Sequence, residues 1–182
     1  APLVHVKPHG SLYNMSARDP QLAKTIANAV KDFEPTLVLF GLSGSHSISE
    51  ASKTGLKTAS EVFADRTYQE DGSLIPRSKP NALLTDVEQV ISQVKEIAEA
   101  GFVTTSTGKK ISVVAETVCV HGDSPHAIEF AKAIPYGIYH VANDEGWVSV
   151  GDVADTAEFA VESIRRWWHA MGRDRFPNAQ RL

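Results

Sequence analysis

The sequence predicts an α/β fold built on a parallel sheet, and three observations carry that expectation. Short aliphatic and β-branched runs recur without polar alternation, amphipathic helical patterns separate them, and each run closes on a turn-forming cluster. Strands that are apolar throughout must be covered on both faces, as in an open α/β sheet or a barrel. Either architecture places function at the carboxyl ends of the strands.

Residues 2–6 read as the first strand, with Leu3, Val4 and Val6 apolar, Pro8 stopping the ladder and Gly10 freeing the backbone to turn. From Asp19 to Phe33, Leu22, Ile26, Ala29, Val30 and Phe33 recur at the spacing of one helix face, and Asp19-Pro20 is a cap and first-turn pair. Thr36 to Phe40 is a continuous apolar strand running into Gly41-Leu42-Ser43-Gly44, followed by a helix from about Ser45 to Thr54 that Gly55 stops. Lys57 to Phe63 supplies a third strand. It leads into Ala64-Asp65-Arg66 and a long polar loop carrying Tyr68, Asp71-Gly72, Pro76-Arg77 and Lys79-Pro80. Thr85 caps a helix through Ala100, with Val87, Val90, Ile91, Val94, Ile97 and Ala98 on one face and Gly101 closing it. A hairpin over Phe102 to Val113 turns at Gly108, Thr117 to Val120 is the next strand, and Pro125 opens a helix to about Ile134.

The 182 residues, 42% hydrophobic and 22% charged, suffice for one domain with a real core. A net charge of −4 offers no footprint for nucleic acid. No apolar stretch approaches the roughly 20 residues of a membrane span, so no membrane partner is expected and the compartment reads as cytoplasmic. The single cysteine, Cys119, lies in an apolar run and reads as a buried, reduced core thiol. The chain opens inside a strand at Ala1 and its first methionine is Met15, which predicts a missing upstream portion.

The strand ends carry the chemistry. They read Lys7-Pro8-His9-Gly10, Gly41-Leu42-Ser43-Gly44, Phe63-Ala64-Asp65-Arg66 and His121-Gly122-Asp123, so three of the four bring ionisable groups to what should be one face. Composition shifts near residue 134. All three tryptophans and seven of the fourteen aromatics follow it, and the pattern changes to two strands, Gly137 to Ala142 and Trp147 to Val150, joined by Asn143-Asp144-Glu145-Gly146. Asp155 or Thr156 then caps a helix ending at Gly172.

Four stretches in order, Val6 to Asn14, Glu61 to Arg66 with Tyr68, Asp71 to Ser78 and Val118 to Ala127, resemble the LamB/YcsF family over about residues 1–134. The resemblance implies a seven-stranded, TIM-like barrel related to glycoside hydrolases and deacetylases, here incomplete because the family's amino-terminal segments are not found. It also implies one component of an ATP-dependent 5-oxoprolinase, the A subunit, which opens 5-oxo-L-proline to L-glutamate with subunits B and C and is truncated and impaired here. Residues 135–182 resemble an interior piece of an insertion-sequence transposase with a ribonuclease-H-like fold, a short hairpin and helix tail on Ile134 to Tyr139, Gly146 to Gly151 and Asp155 to Trp168.

Opening a lactam requires an activated carbonyl, delivered water and a stabilised oxyanion. For that chemistry His9 is the first choice of general acid or base, Lys7 or Arg77 holds a carboxylate or developing negative charge, and Asp65 orients Arg66 or His9. Tyr68 donates a hydrogen bond, and His121 with Asp123 forms a second polar strand end. Asp123 serves equally as the cap of the helix at Pro125. Tyr13 and Asn14 read as turn formers, and Glu61 as either buried and site-lining or a solvated edge carboxylate. No metal-ligand spacing is present, so no metal site is assigned. ATP is implied by the family reaction and shared with the partner subunits, although no Gly-rich Lys-Ser/Thr phosphate loop occurs. A metal-dependent amide or acetyl hydrolase, and an inactive relic with a transposase-derived tail, are the alternative readings.

Overall fold

In a computed structural model, which describes residues 3–121, 130, 136–140, 145–149 and 169, the unit Ala1–Ser124 is organised around four parallel strands. These are β1 (His5–Val6), β2 (Val38–Leu42), β3 (Lys57–Phe63) and β6 (Thr117–Cys119), hydrogen-bonded in the order β1-β2-β3-β6. Spatial order follows chain order without reversal. A doubly wound sheet reverses at a switch point, whereas successive right-handed crossovers in one direction curl the strands into a section of barrel.

The elements form for local reasons. Helix α2 (Pro20–Phe33) opens on Asp19, whose carboxylate accepts from the N–H groups of Gln21 and Leu22, with Pro20 where its missing N–H is harmless. Helices α3 (His46–Thr54) and α4 (Val87–Ala100) end at Gly55 and Gly101, both left-handed at φ 84° and 67°. The α4 cap is Asp86, bonded to the N–H of Gln89, rather than Thr85. After α4, β4 (Phe102–Thr104) and β5 (Lys110–Ser112) pair as the expected antiparallel hairpin.

Strand β2 begins at Val38 rather than Thr36 and continues through Gly41 and Leu42, expected to form its turn, and three further expectations need correction. Helix α1 (Gly10–Arg18) occupies a stretch read as a turn, because its inward face consists of Tyr13, Ser16 and Ala17, two of them too small or polar to register as an apolar stripe. The first strand is shorter than residues 2–6, with Leu3 and Val4 exposed. On α2 the buried stripe is centred on Ala23 and Ala27, while Phe33, expected inside, is 76% exposed. Small residues win that face because α2 and α3 approach closely, joining Ala27, Ala51, Leu39 and Leu56 in one apolar cluster with Val6, Ile26 and Val30 at its edge. A second cluster gathers Tyr13, Leu42, Val62, Phe63, Tyr68, Ile97 and Val103 beneath the carboxyl ends of the strands.

Gly41 on β2 marks a close strand-to-helix approach. A Cβ there would sit 2.8 Å from Cβ of Ser47 and 3.2 Å from Cδ1 of Ile48 on α3. Gly41→Ala therefore forces α3 off the sheet and is expected to lower stability by about 1–3 kcal/mol, measured as a fall in the urea midpoint at unchanged m.

In the unit Pro125–Leu182, β7 (Tyr136–His140) and β8 (Glu145–Ser149) form an antiparallel hairpin in which His140 pairs with Glu145. Glu145 and Gly146 thus belong to the second strand rather than to the turn. The helices expected from Pro125 to Ile134 and up to Gly172 fall outside the described residues apart from Phe130 and His169, and Asp123 falls outside them entirely. Among the described residues no helix is long and apolar enough to cross a membrane.

Candidate active site

Strand β3 and the residues just past it read Glu61-Val62-Phe63-Ala64-Asp65. The period of two therefore sends Glu61, Phe63 and Asp65 to one side. Neighbouring strand ends answer each carboxylate with a base. Lys7, immediately after β1, places Nζ 2.6 Å from Oε1 of Glu61. His121, two residues past β6, brings Nδ1 to 3.0 Å from both oxygens of Asp65, and its backbone N–H donates to Oδ2 at 3.2 Å. Glu61 and Asp65 are 3% and 1% exposed, so each is a buried carboxylate whose desolvation its partner offsets.

Phe63 stands between the two pairs. Its ring stacks on His121 with centroids 5.4 Å apart at 15°, the Lys7 ammonium lies 5.4 Å from its centroid, and Tyr13 of α1 meets it edge-on at 5.6 Å. These groups wall a cavity of about 700 Å³, within the size range of small-molecule sites. With Nδ1 committed to Asp65, Nε2 is the ring nitrogen left for chemistry, and the carboxylate sets the tautomer.

The residues named from sequence distribute unevenly over this wall. Lys7, His9, Arg66, Arg77 and His121 all line the cavity. His9, the expected acid or base, is exposed at the N-cap of α1 and makes no side-chain cap bond, whereas the imidazole held by a carboxylate is His121. Asp65, expected to orient Arg66 or His9, orients His121 instead. The Arg66 guanidinium donates to the carbonyls of Ala82 at 3.2 Å and Ile75 at 2.6 Å, so it braces the loop after β3. Tyr68 is 1% exposed and not on the cavity wall. Its hydroxyl accepts from the Phe63 N–H at 2.7 Å, which makes it a support for β3 rather than a donor to a ligand. Sequence reasoning gave no site role to Tyr13 or Arg18, which line the cavity from α1. Only the helical register of α1 could have pointed to them. Among the described residues no group of three or more His, Cys, Asp or Glu side chains is placed to hold a metal ion.

Cys119 is half-buried on the same wall rather than sealed in the core, with Sγ 3.4 Å from Nζ of Lys7. Burial pushes its thiol up, Lys7 opposes that shift and Glu61 adds to it. The thiolate fraction at pH 8 is accordingly below that of a free cysteine. Iodoacetamide is expected to alkylate Cys119 about 10-fold more slowly in the folded protein than in urea, the rate rising as pH is increased. Equal rates would show a thiol that the fold neither buries nor shifts.

A sequence profile of the LamB/YcsF family matches residues 1–146. The 5-oxoprolinase A subunit of Shouchella clausii is 54% identical over 132 residues, covering 72% of this chain and 52% of that protein. The corresponding protein of Bordetella pertussis is 52% identical over 134 residues, 74% of this chain and 53% of the relative. The crystal structure of a lactam utilization protein from Thermus thermophilus superposes with a TM-score of 0.62 at 39% identity, covering 71% of this chain and 56% of that one. The chain spans about half the length of the curated relatives it matches.

Proposed function

Because this chain belongs to the LamB/YcsF family, we propose that it serves as the A subunit of an ATP-dependent 5-oxoprolinase, cleaving 5-oxo-L-proline to L-glutamate together with subunits B and C in the cytoplasm. The observation that carries the reading is the juxtaposition of two acid–base pairs, Asp65–His121 and Glu61–Lys7, on either side of Phe63, with Lys7, Phe63 and His121 lining the cavity and the two carboxylates buried behind them.

Ring opening adds water across a resonance-stabilised C–N bond, so water must lose a proton and the departing nitrogen must gain one. His121 supports both transfers in turn, because Asp65 holds Nδ1 and stabilises the imidazolium formed in between. Lys7 supplies positive charge to the carbonyl oxygen as it becomes an oxyanion, and to Arg77, which lines the cavity, we assign the substrate carboxylate. ATP enters as a substrate of the whole complex. Lys7 is ion-paired with Glu61 and Arg66 is engaged by two carbonyls, while Arg18 and Arg77 also line the cavity. We read the parallel strands as part of a seven-stranded barrel, a reading supported by their unreversed order. Residues 135–182 we read as a transposase-like fragment, supported by the sequence stretches that resemble one and by the β7–β8 hairpin.

The test combines this chain with purified subunits B and C, ATP and 5-oxoproline and measures glutamate. Slow glutamate formation that requires ATP and both partners is expected. Turnover that needs a divalent ion but neither ATP nor partners would replace the reading with a metal-dependent amide or acetyl hydrolase, and no glutamate under any condition would overturn it.

A further inference from the structure

A second cavity, of about 380 Å³, opens where β2 turns into α3. One side is the turn Ser43-Gly44-Ser45 with His46, the first residue of α3, and the other is Arg18 of α1 with Asp71 and Ser73 of the loop after β3. The groups gathered here are mostly donors. The first N–H groups of a helix have no intrahelical acceptor, and Ser45, the N-cap of α3, offers them none from its side chain. The Ser45 hydroxyl is instead buried on this wall without a hydrogen-bond partner, in a residue only 9% exposed. Ser43 Oγ accepts from the Val114 N–H at 2.9 Å and so keeps its own proton to give. Gly44, left-handed at φ 72°, has no neighbouring atom within 4 Å of where a Cβ would stand, which leaves its backbone open to close approach.

Arg18 makes one hydrogen bond among the described residues, from Nη2 to Ser73 Oγ at 3.1 Å, and that oxygen is held in turn by Gln69 at 2.7 Å and Asp71 at 2.6 Å. The guanidinium is thereby anchored at one corner with further N–H groups to offer. Asp71 is the one acid on this wall among the described residues, and its Oδ1 takes both the hydroxyl and the N–H of Ser73. Its charge works against an anion, and Arg18 together with the positive end of α3 works the other way. We propose that this cavity binds a phosphate group, free or at the end of a nucleotide, through the backbone N–H groups that open α3, the Ser45 hydroxyl and the Arg18 guanidinium. Four oxygens answer donors that come from a helix end, a turn and a second helix, where a carboxylate has only two. Arg18 also lines the larger cavity, so the phosphate would lie beside it, but the site does not depend on the enzymatic reading of that cavity.

Equilibrium dialysis of the full chain against radiolabelled inorganic phosphate at low ionic strength tests the site without partner subunits or turnover. Saturable binding of one phosphate per chain is expected. Ser45→Ala and Arg18→Gln should each weaken it about 10-fold, the equivalent of one hydrogen bond to a charged group. Asp71→Asn should tighten it, because the opposing charge is gone while the amide oxygen still accepts from Ser73. Since the Ser45 hydroxyl has no partner in the folded chain, Ser45→Ala should melt at the wild-type temperature, which separates lost binding from lost folding. Competition with ATP distinguishes the two sources. Displacement by ATP at lower concentration than by phosphate itself assigns the site to the phosphates of a nucleotide, and failure of ATP to compete assigns it to free phosphate. No saturable binding up to about 10 mM phosphate, acetate or 5-oxoproline displacing the label as well as phosphate does, or unchanged binding in both Ser45→Ala and Arg18→Gln would overturn the proposal.

Discussion

If the chain acts as proposed, Asp65→Asn is expected to lower glutamate formation in the reconstituted assay by about 10²–10⁴-fold with little change in the thermal midpoint. The shape of the side chain is retained, so its buried place behind His121 is filled and the backbone N–H of His121 still finds an oxygen. What changes is the proton. A carboxylate accepts from Nδ1 and leaves Nε2 as the base, whereas an amide can present its NH₂ to Nδ1, driving the proton to Nε2 and removing the lone pair on which the proposed reaction depends. Loss of the negative charge also removes the partner that stabilises imidazolium during transfer. The reconstituted assay measures the rate, and circular dichroism melting confirms the fold. An Asp65→Asn variant that kept a large share of the wild-type rate would move the acid–base role away from His121 and back to the exposed His9.

The second large effect is on stability. Lys7→Met removes the only ion-pair partner described for Glu61, whose side chain is 4% exposed, and leaves a carboxylate in the middle of β3 without compensation. The cost is expected to be about 3 kcal/mol, at the low end for a broken buried pair because the Lys7 side chain keeps 18% exposure and water can partly reach the vacancy. Adding Glu61→Leu should recover most of that loss, since an apolar pair of similar volume carries no desolvation penalty. Urea unfolding of the two single variants and the double variant gives the coupling directly. A Lys7→Met protein that unfolded at the wild-type urea concentration would show Glu61 to be solvated, and with it the second acid–base pair would lose its meaning. Catalysis should stay lost in the double variant even where stability returns, which separates the contribution of the pair to folding from its contribution to chemistry.

Helix ends and strand ends were legible wherever a single residue type has one conformational job. Asp19-Pro20, Gly55 and Gly101 announced their boundaries, and Lys57–Phe63 was readable as a strand to the residue because it runs from the stop at Gly55 into the turn after Phe63, its last four positions buried. Faces were harder. Phe33 is the largest apolar side chain on α2 and lies in solvent, while Ala23 and Ala27 make the contact, because the width of the gap to α3 decides which side chains fit and no local pattern encodes that gap. Helix α1 escaped notice for a related reason: Ser16 is buried through bonds to the Tyr13 carbonyl and the Ser47 hydroxyl, so it counts as inside only once α3 is in place.

By itself the sequence determined that parallel strands alternate with helices and that their ends carry Lys7, Asp65 and His121, since apolar runs and turn residues act over a few positions and need no distant partner. Which base meets which carboxylate was decided only by the tertiary structure. Lys7 finds Glu61 across 54 residues and His121 finds Asp65 across 56, and those pairings follow from the sheet order, in which β6 lies beside β3, the strand that carries both acids, and β1 lies one strand beyond its other edge. His9 stands two residues from Lys7 and looked equivalent on paper. Helix α1 begins beside it and turns it out to solvent, so the carboxylate went to the histidine that the sheet delivered.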